Sequence, residues 1–307
     1  MPPVSEGLDL DSVVEWMRRD WDERAATDPE YHVYTRDLTA DEADFDQAGR
    51  VNYRQIVRPY LPILLNGRPA KTCRIVEIGC GVGRMTRWFA EDFLEVHGVD
   101  ISAEMIRRAR LRLAESPNVV LHLGSGRDLS GLPDETFDLA FSYIVFQHIP
   151  SRAVIENYVR EAARVLRPGG FFKFQLQGDQ SPAYRRQKRD TWMGETFSLT
   201  EAAEMLEGAG FSLIASDGVG TQYFLLTARR GPAFDQPGIN SYLFPGEAWA
   251  QPQLLQGWRE PVGGSWRCVS PHSVTALAVP SGERLRFFAG LTSGPRNPFR
   301  LWKCDSP

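Results

Sequence analysis

Between Thr72 and Arg230 the chain alternates short apolar runs with amphipathic stretches, and no other feature narrows its possible folds so far. Apolar runs bounded by turn residues read as buried parallel strands, and the amphipathic stretches between them as crossover helices. Strands are expected at Cys73 to Ile78, Leu94 to Val99, Val119 to Leu123, Phe137 to Ser142, Phe171 to Leu176, Phe211 to Ala215 and Tyr223 to Ala228. Helices are expected at Gly83 to Asp92, Ala103 to Ser116, Arg152 to Arg167 and Thr200 to Gly208. Pro168-Gly169-Gly170 should end the third helix, because proline cannot continue it and glycine accepts left-handed torsions. This alternation predicts an α/β sheet with helices on both faces. Only Ser216 to Gln222 separates the last two strands, too little for a crossover helix, so these should pair antiparallel at the end of the sheet.

The flanks have different compositions. Residues 1–70 are acid-leaning, with Val14, Trp16 or Met17, and Trp21 at helical spacing, and a second periodic stretch from Asp44 to Leu65 interrupted at Pro59 and Pro62. Two or three helices, one bent, are expected there as a cap, with the tryptophans as packing residues. Residues 232–307 hold ten of the 21 prolines and four of the eight tryptophans, which disfavours helix. Ser273 to Val279 and Arg284 to Ala289 read as short strands of a small β module or an extended cover. The predicted organisation is a helical cap over 1–70, a Rossmann-like domain over 71–231 and the Pro/Trp-rich module over 232–307.

The chemistry concentrates at Val76-Glu77-Ile78-Gly79-Cys80-Gly81-Val82-Gly83-Arg84, where the first strand meets the first helix. Alternate glycines let the backbone turn tightly and meet a ligand with no side chain between. A dinucleotide fingerprint would need glycine where Arg84 stands, and the acidic Glu77 is unwelcome beside a pyrophosphate. The second strand ends in Asp100, a carboxylate able to accept both hydroxyls of a ribose at the sheet edge where open α/β folds bind ligands.

Glu77 to Arg84, Asp100, the loop Gly124-Ser125-Gly126-Arg127-Asp128-Leu129, the strand Phe137 to Tyr143 and Leu166-Arg167-Pro168-Gly169-Gly170 together resemble the class I S-adenosylmethionine-dependent methyltransferases over about half of the chain. The resemblance implies a seven-stranded Rossmann-like sheet with an antiparallel last strand, and S-adenosylmethionine as cofactor. It implies that Glu77 belongs to the first motif, that Gly79, Gly81 and Gly83 pack against the methionine part, that Asp100 holds the ribose, and that Ile101, Ser125 and Gly126 lie near the adenine. The sequence departs from the family by lacking an acidic residue near Ser125. A hydroxyl, a backbone group or Asp128 must then serve the adenine.

His148 follows the fourth strand at the same edge and is a candidate general base, with pocket shaping as its alternative role. Cys80, between glycines with no base nearby, reads as packing. The run Tyr184-Arg185-Arg186-Gln187-Lys188-Arg189 could hold an anionic acceptor, although such runs are more commonly solvated loops. Trp258 and Trp266 could stack on sugars or fill a core. Histidines 32, 97, 122, 148 and 272 are scattered, so no metal site is expected. Thirty-five basic against 39 acidic side chains give a net charge of -4, which disfavours nucleic acid as a partner. Four unpaired-looking cysteines and a start without an apolar signal region point to a reduced cytoplasmic protein without a membrane span. The expected activity is methyl transfer to an oxygen or nitrogen of a small-molecule or glycan-type acceptor. A SAM-binding scaffold that recruits partners through its C-terminal module is the alternative, and a nicotinamide dehydrogenase is disfavoured by Arg84.

Overall fold

The computed structural model describes residues 9–33, 42–185 and 190–232, together with the backbone of five strands between residues 259 and 303. Arg186 to Arg189 of the basic run and Trp258 lie outside the described residues, as do the side chains of Arg185 and Trp266.

Seven strands form one sheet: β1 (Arg74–Ile78), β2 (Glu95–Asp100), β3 (Val119–Leu123), β4 (Phe137–Ser142), β5 (Leu166–Leu176), β6 (Phe211–Asp217) and β7 (Phe224–Arg230), in the order β3-β2-β1-β4-β5-β7-β6. The first five are parallel to one another, and β7 runs antiparallel to both β5 and β6. The reversed last strand is therefore present, but it inserts inside the sheet and leaves β6 at the edge. Burial explains the order. In β7, Phe224, Leu225, Leu226, Thr227, Ala228 and Arg229 are all buried, so both faces and both edges need cover, whereas β6 leaves Ser212, Leu213, Ser216 and Asp217 half-buried.

Strand periodicity divides the core in two. Val76, Ile78, Phe172 and Phe174 meet α7 (Arg152–Val165), α9 (Leu199–Gly208) and the start of α1 (Leu10–Thr27) on one face. Ile75, Leu139, Phe141 and Phe171 meet α3 (Glu42–Ile56), α4 (Leu61–Leu64) and α5 (Thr86–Asp92) on the other. The cap contains α1, the short α2 (Pro29–Val33), α3 and α4. A single 3-10 turn at Arg58–Tyr60 precedes α4, which is the interruption that Pro59 and Pro62 impose. The remaining helices are α6 (Ala103–Arg112) and α8 (Pro182–Arg185).

Several boundaries differ from expectation for local reasons. The helix expected from Gly83 begins only at Thr86, because Gly83 takes φ +86° inside the preceding turn. The helix expected to run to Arg167 ends at Val165; Leu166 is already extended, and Leu166 to Gly170 belong to β5. Arg167 precedes Pro168, whose ring pushes its neighbour out of the helical region. Toward the C-terminus, β8 (Arg259–Val262) and β9 (Ser265–Cys268) form an antiparallel pair. A three-stranded antiparallel sheet follows, of β10 (Val274–Ser281), β11 (Arg284–Leu291) and β12 (Arg300–Lys303).

Candidate functional site

The carboxyl ends of β1 and β2 are stitched together by the backbone of the glycine loop. The amides of Gly79 and Cys80 donate to the Val99 carbonyl at 2.7 and 3.0 Å, and the Gly81 amide donates to Asp100 Oδ2 at 2.8 Å. Asp100 Oδ1 accepts from the Ser102 amide at 2.9 Å, leaving each carboxylate oxygen with further acceptor capacity. Enclosure by protein pushes the Asp100 pKa up to about 6, against the lowering effect of the Ser102 and Gly81 amides. Gly79 and Gly81 take φ +75° and +53°. A Cβ on Gly79 would stand 2.3 Å from Val145 Cγ2, and one on Gly81 would stand 3.0 Å from Val33 Cγ2.

These groups form one wall of a cavity of about 730 Å³ of empty space, including its open mouth, within the size range of small-ligand sites. Ile101, Gly126, Tyr158 and the strand-end run Tyr143-Ile144-Val145 extend that wall, and Met17, Trp21, His32 and Val33 close it from the cap. Helix α1 covers the cavity through Met17 and Trp21. Arg18 donates to the Ser125 carbonyl at 3.0 Å, Asp22 Oδ1 accepts from Ser102 Oγ at 2.6 Å, and Val33 of α2 sits against Gly81. Ile144 is strained, a β-branched residue at φ +59°, with its amide donating to Gln175 Oε1 at 3.0 Å.

The fold places the residues singled out from the sequence in different settings. Gly79, Gly81, Asp100, Ile101 and Gly126 line the cavity. Glu77 does not: it is 4% exposed and accepts from Thr86 Oγ1 at 2.6 Å, and burial pushes its pKa up to about 8. Gly83 faces away, since a Cβ there would lie 2.7 Å from Leu113 Cδ1. Ser125 donates to Asp128 Oδ1 at 2.7 Å within its own loop. Cys80 packs on Gly98 and is buried, which pushes its thiol pKa up and suits a packing role.

His148 is 5% exposed, behind the cavity wall, with both ring nitrogens engaged. Because Ile144 N–H fixes the Gln175 amide, Gln175 Nε2 donates to Gln147 Oε1 at 2.6 Å and Gln147 Nε2 donates to His148 Nε2 at 3.0 Å. His148 Nδ1–H then donates to the Trp192 carbonyl at 2.8 Å. Burial drives the His148 pKa down to about 4 against that last bond. This geometry suits the pocket-shaping alternative. His32 lines the cavity with Nδ1 donating to the Asp28 carbonyl at 2.7 Å, which leaves Nε2 as its acceptor nitrogen. The cap residues escaped sequence reasoning because at helical spacing Met17 and Trp21 look like core, and only Trp21's spacing with Met17 hinted at a shared face. Among the described residues no cluster of three or more His, Cys, Asp or Glu is arranged to hold a metal, and no helix is long and apolar enough to cross a membrane.

Residues 76–174 match the family described as a methyltransferase domain. A 2-methyl-6-phytyl-1,4-hydroquinone methyltransferase of Synechocystis is 30% identical over 148 residues, 44% of this chain and 45% of that protein. A malonyl-[acyl-carrier protein] O-methyltransferase of Enterobacter lignolyticus is 30% identical over 138 residues, 44% of this chain and 51% of that protein. The chain thus spans about half the length of these curated relatives. Among solved structures, phosphoethanolamine N-methyltransferase 1 of Haemonchus contortus, in complex with phosphoethanolamine and S-adenosylhomocysteine, matches with a TM-score of 0.55 at 18% identity, over 80% of this chain and 56% of that one. A DhpI–SAH complex matches with a TM-score of 0.50 at 23% identity, over 72% and 98%. At these identities the structural likeness is one of fold.

Proposed function

We propose that this chain, whose Rossmann-like core is a class I S-adenosylmethionine-dependent methyltransferase domain, moves a methyl group from that cofactor to an oxygen or nitrogen of a small molecule with an apolar body. The observation that carries this reading is the cavity itself. Asp100 and two glycines without side chains form one wall, and the apolar and aromatic residues Met17, Trp21 and Val33 form the other. When bound, the cofactor supplies a methyl carbon on a positively charged sulfur, already activated toward a nucleophile.

The residues present fit such a ligand. Asp100 accepts the ribose hydroxyls through lone pairs that the Gly81 and Ser102 amides leave open. Gly79 and Gly81 bring bare backbone to the methionine part, and Ile101 and Gly126 flank the adenine. The cap excludes water and aligns the acceptor, and alignment alone can supply much of the rate. Val33 touches Gly81, so its neighbour His32 stands on the methionine side, where Nε2 can take the proton that the acceptor's nucleophile releases. The named relatives act on a hydroquinone and on a carrier-bound malonyl group, acceptors with different head groups. The cap residues Met17, Trp21, His32 and Val33 lie outside residues 76–174 and line the cavity, so acceptor selection falls to them.

Calorimetric titration with S-adenosylhomocysteine and NAD in parallel tests the cofactor half. The homocysteine compound should bind, NAD should not, and Asp100→Ala should cost about 2–4 kcal/mol of affinity. A screen of hydroxylated, aminated and sugar-containing metabolites, read by release of S-adenosylhomocysteine, tests transfer. His32→Ala should then lower kcat about 100-fold or more with cofactor affinity kept. Tight binding with no turnover across the screen would replace transfer by a cofactor-binding scaffold.

A further inference from the structure

The loop Gly124 to Leu129 carries three polar side chains: Arg127 pairs with Asp11 of α1, and Ser125 and Asp128 are engaged with each other. Ser125 Oγ donates to Asp128 Oδ1 and accepts from the amides of Arg127 at 3.2 Å and Asp128 at 3.0 Å. Asp128 Oδ1 also accepts from Ser130 N at 3.2 Å and Ser130 Oγ at 2.8 Å, and neither Ser125 nor Asp128 lines the cavity. Gly126 does line it, but offers only backbone, with Ile101 Cδ1 lying 2.3 Å from where a Cβ would be.

Tyr158 of α7 lines the same cavity. It is 6% exposed, and its ring stacks on Phe146 with centroids 5.7 Å apart. No described residue hydrogen-bonds its hydroxyl, which leaves that group for a ligand in the cavity that Tyr158 lines. On the same helix Asn157 Nδ2 donates to the Arg127 carbonyl at 2.8 Å and Glu161 Oε2 accepts from the Leu129 amide at 3.0 Å, which sets α7 beside the adenine loop, and burial keeps the Tyr158 phenol protonated.

From this geometry we infer that the Tyr158 hydroxyl hydrogen-bonds the adenosine part of the cofactor, in place of the Asp128 side chain, which is engaged by Ser125 and Ser130 outside the cavity. The inference rests on the cofactor reading above and extends it to the residue that recognises the nucleoside. A carboxylate can only accept, whereas a phenol can donate to an adenine ring nitrogen or accept from its amino group.

Tyr158→Phe removes one oxygen and keeps the ring on Phe146. Wild type and variant are compared by calorimetry with S-adenosylhomocysteine, and with 5′-methylthioadenosine, which keeps the nucleoside and lacks the amino acid, as its competitor. The inference expects both ligands to bind the variant about three- to tenfold more weakly, with the ligand-free melting temperature unchanged. Equal affinities, or a loss confined to S-adenosylhomocysteine, would overturn it. Failure of the wild type to bind S-adenosylhomocysteine would instead defeat the cofactor reading on which it stands.

Discussion

A proton and a ribose compete for Asp100. Its carboxyl is pushed up to about 6 by enclosure, while hydroxyl donors of a ligand favour the ionised form. Affinity for S-adenosylhomocysteine should therefore be full above pH 6 and fall toward tenfold per unit below it. Asp100→Asn should bind weakly at every pH with that slope removed; a slope retained in the variant would assign it to another group. Gly79 is constrained by both torsion and space, with φ +75° and Val145 Cγ2 at 2.3 Å from any Cβ. Gly79→Ala should destabilise the fold by about 2–4 kcal/mol and abolish cofactor binding. Gly131, where a Cβ meets nothing within 4 Å, is the control: Gly131→Ala should leave melting and binding unchanged.

The segment after β4 shows how one element positions another. Gln175 on β5 fixes Ile144 and Gln147, Gln147 fixes the His148 tautomer, and His148 holds the carbonyl of Trp192. Every donor in this relay points one way, which keeps the strained Ile144 in the cavity wall. The relay also makes stability depend on pH. His148 has its folded pKa depressed to about 4 from 6.5, so the unfolded chain binds the proton more readily. The stability involved is complete above pH 6.5 and is lost as pH falls toward 4, by about 2 kcal/mol at pH 5. In wild type minus His148→Asn, the difference in unfolding free energy should shrink by about that amount between pH 7 and pH 5. A constant difference would mean that His148 is not buried as a neutral ring.

For the molecule as a whole, the consequential contact is between the cap and the segment after α8. Arg24 lies 4.8 Å from the Trp21 ring centroid and 5.6 Å from that of Trp192, and donates to the Thr191 carbonyl at 3.3 Å. Thr191 Oγ1 donates to Asp20 at 2.8 Å, so one turn of α1 is clasped to the segment after α8. A ligand that leaves by displacing α1 must loosen this clasp. Arg24→Gln should remove about 1 kcal/mol of cation–π and hydrogen-bond energy and speed S-adenosylhomocysteine dissociation about fivefold, measurable by stopped-flow fluorescence. An unchanged dissociation rate would show that the ligand leaves by another route.

Local chemistry alone determined much of this protein. Val119–Leu123 and Phe137–Ser142 are strands with the bounds their apolar runs predict, and the turn between β1 and α5 follows from glycines that can take positive φ. Asp100 was legible at a strand end beside that turn, and the fold brings it within 2.8 Å of the Gly81 amide. Tertiary structure decided the rest. It set β7 between β5 and β6, buried Glu77 and His148 behind the wall, and carried Met17, Trp21, His32 and Val33 over a cavity built by residues far along the chain. Strand period and glycine torsion are properties of neighbouring residues and can be read in order. Burial and cover depend on which distant surfaces meet, and no local pattern records that.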